Sequence, residues 1–194
     1  YMLNGEFEHK DSTGGKGKMS SGDVQWMKTG SGIIHSEMPV MKEGKLHGFQ
    51  LWINMPSKLK MTKPEYHFIN SNKMSVYKDE EKKIKVIAGK FQETEGAIKD
   101  HNVEPVYFDV ELQKNKEFIF ELPPKHNTYI YWQILCSLFS ILPIYFAFYA
   151  FSYLRFSRNF YRYCFFSISH SLLLFRIYFF LVTTFVLHKE FILL

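Results

Sequence analysis

Short runs of alternating apolar and polar residues fill the first two thirds of the chain. Glycine-rich stretches at 11–17 and 21–23 separate these runs. Side chains on a strand alternate between two faces, so the pattern indicates β-strands rather than helices. The run Gly48–Asn54 is the most strand-like, and 105–112 and 117–122 predict a strand pair around a short turn. Regularly spaced strands of this kind predict an all-β sandwich or barrel.

The pattern changes in the last third of the chain. No charged residue occurs between 129 and 154, and two further apolar runs follow on either side of Arg176. About 20 apolar residues suffice to cross a bilayer. One explanation is a membrane anchor that crosses the bilayer once or twice, with helices as the spans. The other is a hydrophobic tail produced by read-through or a frameshift. We favour the second, because the change falls inside a predicted strand with no linker, and Phe, Tyr, Leu, Ile and Ser dominate the tail.

Charge is divided unevenly between these two parts. Residues 1–127 are nearly neutral, with 19 Lys and Arg against 18 Asp and Glu, whereas residues 128–194 carry five basic residues and one acid. A nucleic-acid footprint needs basic residues clustered on one folded surface, so we do not predict direct nucleic-acid binding. The first 127 residues contain no cysteine, which excludes a disulfide framework there. The N-terminal residues lack the features of a signal peptide, and they resemble the interior of a strand, so we expect a preceding segment.

His35 and Glu37 are the candidate metal ligands of the chain. They stand at i and i+2 in a strand-like run, so both side chains leave the same face. An imidazole and a carboxylate that converge inside a barrel suit iron, manganese, nickel, copper or zinc. A single His-x-Glu is weak support, and a hydrogen-bonded surface pair is the alternative.

The residues around this pair carry a longer motif. It reads GDVQWMKTGSGIIHSE over 22–37, with GFQLWIN at 48–54, Lys60-Met61 and Pro64-x-Tyr66 after it and YMLNGEFEHKDS at 1–12 before it. This set closely resembles the pirin family of the cupin superfamily, and the likeness extends to about residue 131. The resemblance implies a bicupin, which has two jelly-roll barrels in tandem. It assigns residues 1–103 to the N-terminal barrel with the metal site, 104–131 to the start of the C-terminal barrel and 132–194 to the hydrophobic tail.

The resemblance also implies one Fe(2+), held by three histidines and one glutamate, with other divalent transition metals as alternatives. Only His35 and Glu37 carry over to this sequence. The other two ligands are expected from a His-x-His pair upstream of Tyr1. With two of four ligands, we expect the 194-residue chain to bind iron weakly or not at all, and a non-functional fragment is one of the hypotheses.

Two activities follow from the resemblance. The first is that of a quercetin 2,3-dioxygenase, which opens a flavonol ring with O2; Glu37 would then also act as the catalytic base. The second is that of a nuclear, iron-dependent cofactor with a transcription-factor partner. We therefore expect a nuclear or cytoplasmic protein, or a membrane-anchored one if residues 129–187 are native.

Four further residues are candidates for the surroundings of the metal: His9, Trp26, Gln50 and Trp52. His9 is expected to face a turn, and a place beside the site is the alternative. Trp26 and Trp52 are expected in the core, or else lining the pocket. The stretch Gly14–Lys18 lacks the spacing of a phosphate-binding loop and predicts a hairpin turn.

Overall fold

A computed structural model describes residues 1–41, 43–99, 102–113, 115–121, 126–136, 163–167 and 175–185. These residues form an all-β fold, as predicted, with two single 3-10 turns at Ser57–Leu59 and Ser71–Lys73. In chain order, the strands are β1 Met2–Asn4, β2 Phe7–Asp11, β3 Lys16–Met19, β4 Val24–Lys28, β5 His35–Pro39, β6 His47–Gly48, β7 Glu65–Ile69, β8 Ser75–Lys78, β9 Lys82–Ala88, β10 Lys90–Phe91, β11 Thr94–Glu95, β12 Val106–Leu112, β13 Glu117–Glu121, β14 His126–Cys136, β15 Tyr163–Ser167 and β16 Phe175–Phe185.

The described residues divide into two compact units. The first consists of 1–74 with 102–103, and the second of 75–99 with the described residues between 104 and 185. The domain boundaries predicted after residues 103 and 131 stay predictions.

The first unit contains the sheets β3-β2-β5, β4-β7 and β1-β6. The predicted glycine-rich turn joins β2 to β3: the Asp11 N–H donates to the Gly15 carbonyl at 2.9 Å, and Gly14 adopts a φ of +89°. Few residues other than glycine adopt that backbone conformation. Met19 at the end of β3 and Val24 at the start of β4 are buried. β5 is an outer strand of its sheet, and it carries both predicted metal ligands.

The second unit is built on a five-stranded sheet with the order β14-β16-β12-β9-β8. Its core is aromatic: the Phe91 ring lies 5.6 Å from the Phe118 ring, and the Phe108 ring lies 5.0 Å from the Phe120 ring. A charged turn precedes β9, in which Asp79 Oδ1 accepts hydrogen bonds from the backbone N–H groups of Glu81 and Lys82 at 2.8 Å each.

Two local predictions are wrong. The run Gly48–Asn54 does not form a strand along its length: β6 covers only His47–Gly48, backbone hydrogen bonds with Tyr1 extend the pairing to Phe49, and residues 50–56 are irregular. Strand-forming residues need a neighbouring strand to pack against, and propensity alone does not supply one. The predicted strand pair β12–β13 does not form either, because β12 pairs with β9 and β16 while β13 pairs with β15. Phe108 of β12 and Phe118 of β13 are both buried in the same cluster, so contact through side chains replaces backbone pairing.

The hydrophobic tail is described only in part. Its described residues at 132–136, 163–167 and 175–185 lie in strands rather than helices. The remainder of the apolar stretch, 137–162, 168–174 and 186–194, lies outside the described residues. No helix in the described part of the chain has the length and apolar character needed to cross a membrane.

Candidate functional site

The pairing of β2 with β5 assembles the site. This antiparallel register places His9 opposite Glu37 and Asp11 opposite His35. Residues directly opposite each other share a face of the sheet, and so do residues two apart on one strand. All four side chains therefore leave the same face. The prediction that His35 and Glu37 lie on one strand and point the same way is confirmed.

The four side chains differ in their exposure. His35 is exposed, Glu37 is half-buried, and His9 is completely buried. The expectation that His9 faces a turn is therefore wrong. Its ring is stacked against that of Tyr66, with centroids 4.6 Å apart and planes 10° from parallel, and it lies 5.8 Å from the His35 ring. The sequence could not show this, because Tyr66 is 57 positions away and belongs to another sheet.

Asp11 fixes the orientation of the His9 ring. His9 Nε2 lies 2.9 Å from Asp11 Oδ2, and the other carboxylate oxygen accepts hydrogen bonds from the Thr13 hydroxyl, the Thr13 N–H and the Gly15 N–H. The Thr13 hydroxyl, then His9 and the two backbone groups hold the pKa of Asp11 well below its usual range. An ionised carboxylate only accepts hydrogen bonds, so His9 Nε2 must be the donor. His9 Nδ1 is then a buried polar atom without a hydrogen-bond partner in the described part of the chain.

Glu37 is held by a residue of a different sheet. The Gln25 amide on β4 donates from Nε2 to Glu37 Oε1. The Tyr66 hydroxyl on β7 lies 3.4 Å from Gln25 Oε1. Burial, followed by the charges of Asp11 and Glu37, raises the pKa of Tyr66 above its ordinary value. The hydroxyl therefore keeps its proton and can donate.

Gln25 and Tyr66 were not among the predicted site residues. Both belong to the pirin-like motif, but the motif alone gives no reason to link them to Glu37. The packing of the pair β4-β7 against the pair β2-β5 makes the link, and it depends on contacts between residues 12 and 41 positions apart. An alignment that covers many relatives is the signal that could reveal such pairs from sequence.

The other predicted residues lie apart from this network. Trp26 is the next residue after Gln25 on β4, so its side chain leaves the opposite face of that strand, where it is half-buried. Gln50 and Trp52 lie in the irregular segment 50–56, where Gln50 is exposed and Trp52 is 54% exposed. The expectation of Trp52 in the core is therefore wrong. A role for Trp26, Gln50 or Trp52 beside a metal stays a prediction.

The donors present fit a transition metal in kind but not in number. His35 and Glu37 offer an imidazole nitrogen and a carboxylate oxygen from one face of one strand, and Glu37 Oε2 has no hydrogen-bond partner among the described residues. Within the described ranges, no group of three His, Cys, Asp or Glu side chains converges in a way that could hold a metal ion. The described residues therefore offer a pair of candidate ligands and no larger donor group.

Comparison with known proteins shows which family the chain resembles. Residues 1–53, which contain β1 to β6 and all of the motif around His35, match the Pirin family model. The N-terminal part of this chain is therefore similar to the pirin family. A pirin-like protein of Caulobacter vibrioides is 42% identical over 125 residues, which are 63% of this chain and 45% of that protein. A Vibrio cholerae protein named "putative quercetin 2,3-dioxygenase" is 38% identical over 136 residues, covering 68% of this chain and 48% of its own length. The chain thus spans about half the length of the curated relatives it matches.

Solved structures support the pirin-type cupin fold. A protein from Geobacillus kaustophilus superimposes on 95% of this chain and 72% of its own with a TM-score of 0.68 and 25% identity. A bacterial pirin from Escherichia coli, crystallised in complex with nickel(II), superimposes on 95% of this chain and 69% of its own with a TM-score of 0.56. At 18% identity, the second likeness concerns the fold alone.

Proposed function

We propose that this pirin-like segment supplies two ligands, His35 and Glu37, to the metal of an oxygen-dependent enzyme that opens flavonol rings. The observation that carries the proposal is the placement of both side chains on one face of β5, with the buried His9 and Asp11 beside them on β2. The pirin family match and the name of the Vibrio cholerae relative support this reaction class.

Fe(2+) is the metal we propose, and nickel and other divalent transition metals are alternatives. A metal of this kind, when bound, supplies a Lewis acid for the hydroxyl oxygen of the flavonol. Glu37 would take up the proton of that hydroxyl group as general base, and the hydrogen bond from Gln25 to Oε1, which leaves Oε2 for this step, supports that role. His35, whose side chain is exposed on the same face of β5, would be the second ligand of the metal.

Oxygen uptake with quercetin tests the proposal. In the whole protein loaded with iron, we expect uptake that Glu37→Gln or His35→Ala abolishes. His67→Ala is the matched control, since that histidine is exposed on β7 and lies outside the network around Glu37. The absence of uptake by the unsubstituted protein would refute the dioxygenase assignment.

The 194-residue chain is expected to hold iron weakly by itself. Two donors bind a metal much less tightly than four, and no larger donor group is found in the described residues. Metal analysis after purification in the presence of iron should give far less than one iron per chain. A ratio near one would contradict this expectation.

A nuclear, iron-dependent cofactor of transcription factors is the other function that the family resemblance implied. No feature of the described residues favours it over the enzyme. Iron-dependent binding to a transcription-factor domain would support it, and equal binding by the iron-free and iron-loaded protein would exclude it. Location in the nucleus or the cytoplasm stays a prediction.

A further inference from the structure

The hydrogen bond between Gln25 and Glu37 connects two sheets of the first unit. Gln25 lies on β4 and Glu37 on β5, and neither strand pairs with the other. An ionised carboxylate can only accept hydrogen bonds, so the amide must turn its NH2 group toward Glu37 and its Oε1 away. Only one of the two amide orientations therefore serves Glu37.

Tyr66 adds a second contact to the orientation that Glu37 imposes. Its hydroxyl lies 3.4 Å from Gln25 Oε1 and meets an oxygen that accepts. In the reversed amide, the NH2 group would face the hydroxyl and Oε1 would face the carboxylate, so that two acceptors would be opposed. A long hydrogen bond contributes little energy. Its effect is to hold the oxygen end of the amide while the NH2 group donates to Glu37.

The Tyr66 ring is held in turn by the buried pair His9 and Asp11. His9 stacks on Tyr66 at 4.6 Å, and Asp11 anchors His9 through a 2.9 Å hydrogen bond. Gly17 lies beside them, opposite His9 on β3, and a Cβ atom there would be 3.4 Å from the Tyr66 hydroxyl. The hydroxyl therefore fits closely against the backbone of the sheet that carries Glu37.

We propose that Gln25 and Tyr66 are positioning residues for Glu37: Tyr66 holds the oxygen end of the Gln25 amide, and the NH2 end holds Glu37 Oε1, so that Oε2 is left for the proposed metal. This inference rests on the proposed function insofar as it takes Glu37 to be a metal ligand. The network itself is made by the protein alone and can be tested without metal.

The metal-free test follows the Gln25 side-chain amide by NMR in the full chain. We expect Glu37→Ala and Tyr66→Phe each to shift both proton signals of that amide. Glu65→Ala and Tyr77→Phe are the matched controls, because Glu65 lies outside the network and the Tyr77 hydroxyl bonds to Asp79 in the second unit. An amide signal that does not respond to Glu37→Ala or to Tyr66→Phe would overturn the proposal.

A double-mutant cycle measures the strength of the link. Hydrogen bonds to charged groups are the stronger ones. We therefore expect Gln25→Ala and Glu37→Ala to be coupled by about tenfold in the unfolding equilibrium constant, as monitored in urea. Strictly additive effects of the two substitutions would contradict the link.

Titration of the whole protein with nickel(II) tests whether the network around Glu37 contributes to metal affinity. Partners that orient a ligand typically contribute about 10- to 100-fold to metal affinity. We expect Gln25→Ala to weaken nickel binding about tenfold or more, and Gln113→Ala, an exposed glutamine of the second unit, to leave it unchanged. If the whole protein binds no nickel, the proposed metal site fails, while the NMR signals of the Gln25 amide still test the network. If it binds and Gln25→Ala binds equally well, the positioning role is refuted.

Discussion

Replacement of His9 by alanine should destabilise the first unit strongly. The side chain is completely buried between Tyr66 and the sheet, and it donates to an ionised Asp11. Loss of a hydrogen bond to a charged group costs about 1.5–3 kcal/mol. Loss of the ring stack removes about 0.5–1.5 kcal/mol, and the cavity left behind adds to both. Removal of the unpartnered Nδ1 atom offsets about 1–3 kcal/mol of these losses, so we expect a total of about 3 kcal/mol in the free energy of unfolding.

His9→Phe separates the ring from its hydrogen bond. Phenylalanine keeps the stack on Tyr66 and fills most of the space, but it cannot donate to Asp11. It also removes the unpartnered Nδ1 atom, whose burial costs about 1–3 kcal/mol and offsets part of the loss. We expect a destabilisation of about 1 kcal/mol. Urea denaturation followed by circular dichroism measures both variants.

His67→Ala is the control for this pair of variants. Its ring is exposed on β7, so the change should stay within about 0.5 kcal/mol. If His9→Ala costs less than about 1 kcal/mol, the buried His9 does not stabilise the unit, and the reasoning from its burial and hydrogen bond fails.

Three further outcomes follow from the second unit. Phe108→Ala should lower the free energy of unfolding by about 3–5 kcal/mol in urea denaturation, because the ring is completely buried, whereas the half-exposed Ile119 should tolerate alanine at a cost below about 1 kcal/mol. Gly96→Ala should lower the melting temperature, since its Cβ would lie 2.7 Å from the Ala88 Cα; an unchanged melting temperature would contradict that contact. Burial tends to raise the pKa of Asp79, but hydrogen bonds from the next turn outweigh it and lower the pKa to about 2 from an ordinary value of 3.8. Its contribution to stability is therefore present above pH 4 and lost as the pH falls toward 2; Asp79→Asn should remove that part of the acid dependence, and an unchanged pH profile would refute it.

The strand pattern of the first unit was predictable because it is local. Alternation along Glu6–His9 and the glycines of the β2–β3 turn act over a few residues, and so does the spacing of His35 and Glu37. The strand predicted at Gly48–Asn54 failed for the opposite reason. A strand needs a partner at the right place, and the composition of those seven residues does not report one.

The residues around Glu37 could not be predicted from the sequence, because they too depend on how distant strands pack together. Gln25 and Tyr66 reach it from another pair of strands, and the order in which sheets pack is a property of the whole chain. The exposure of Trp52 was missed in the same way, because an aromatic residue in an apolar run does not reveal whether its segment joins a sheet. His9 was assigned to a turn from its neighbours, although its burial depends on Tyr66.

Paramagnetic broadening by Mn(II) tests most directly the claim that His35 and Glu37 act together as metal ligands. NMR spectra of the full chain detect such broadening even where binding is weak. We predict that the signals of His35, Glu37 and their neighbours on β2 broaden first, and that His35→Ala or Glu37→Ala removes the effect while His67→Ala preserves it. Broadening that appears elsewhere in the chain, or that persists in both ligand variants, would contradict the account.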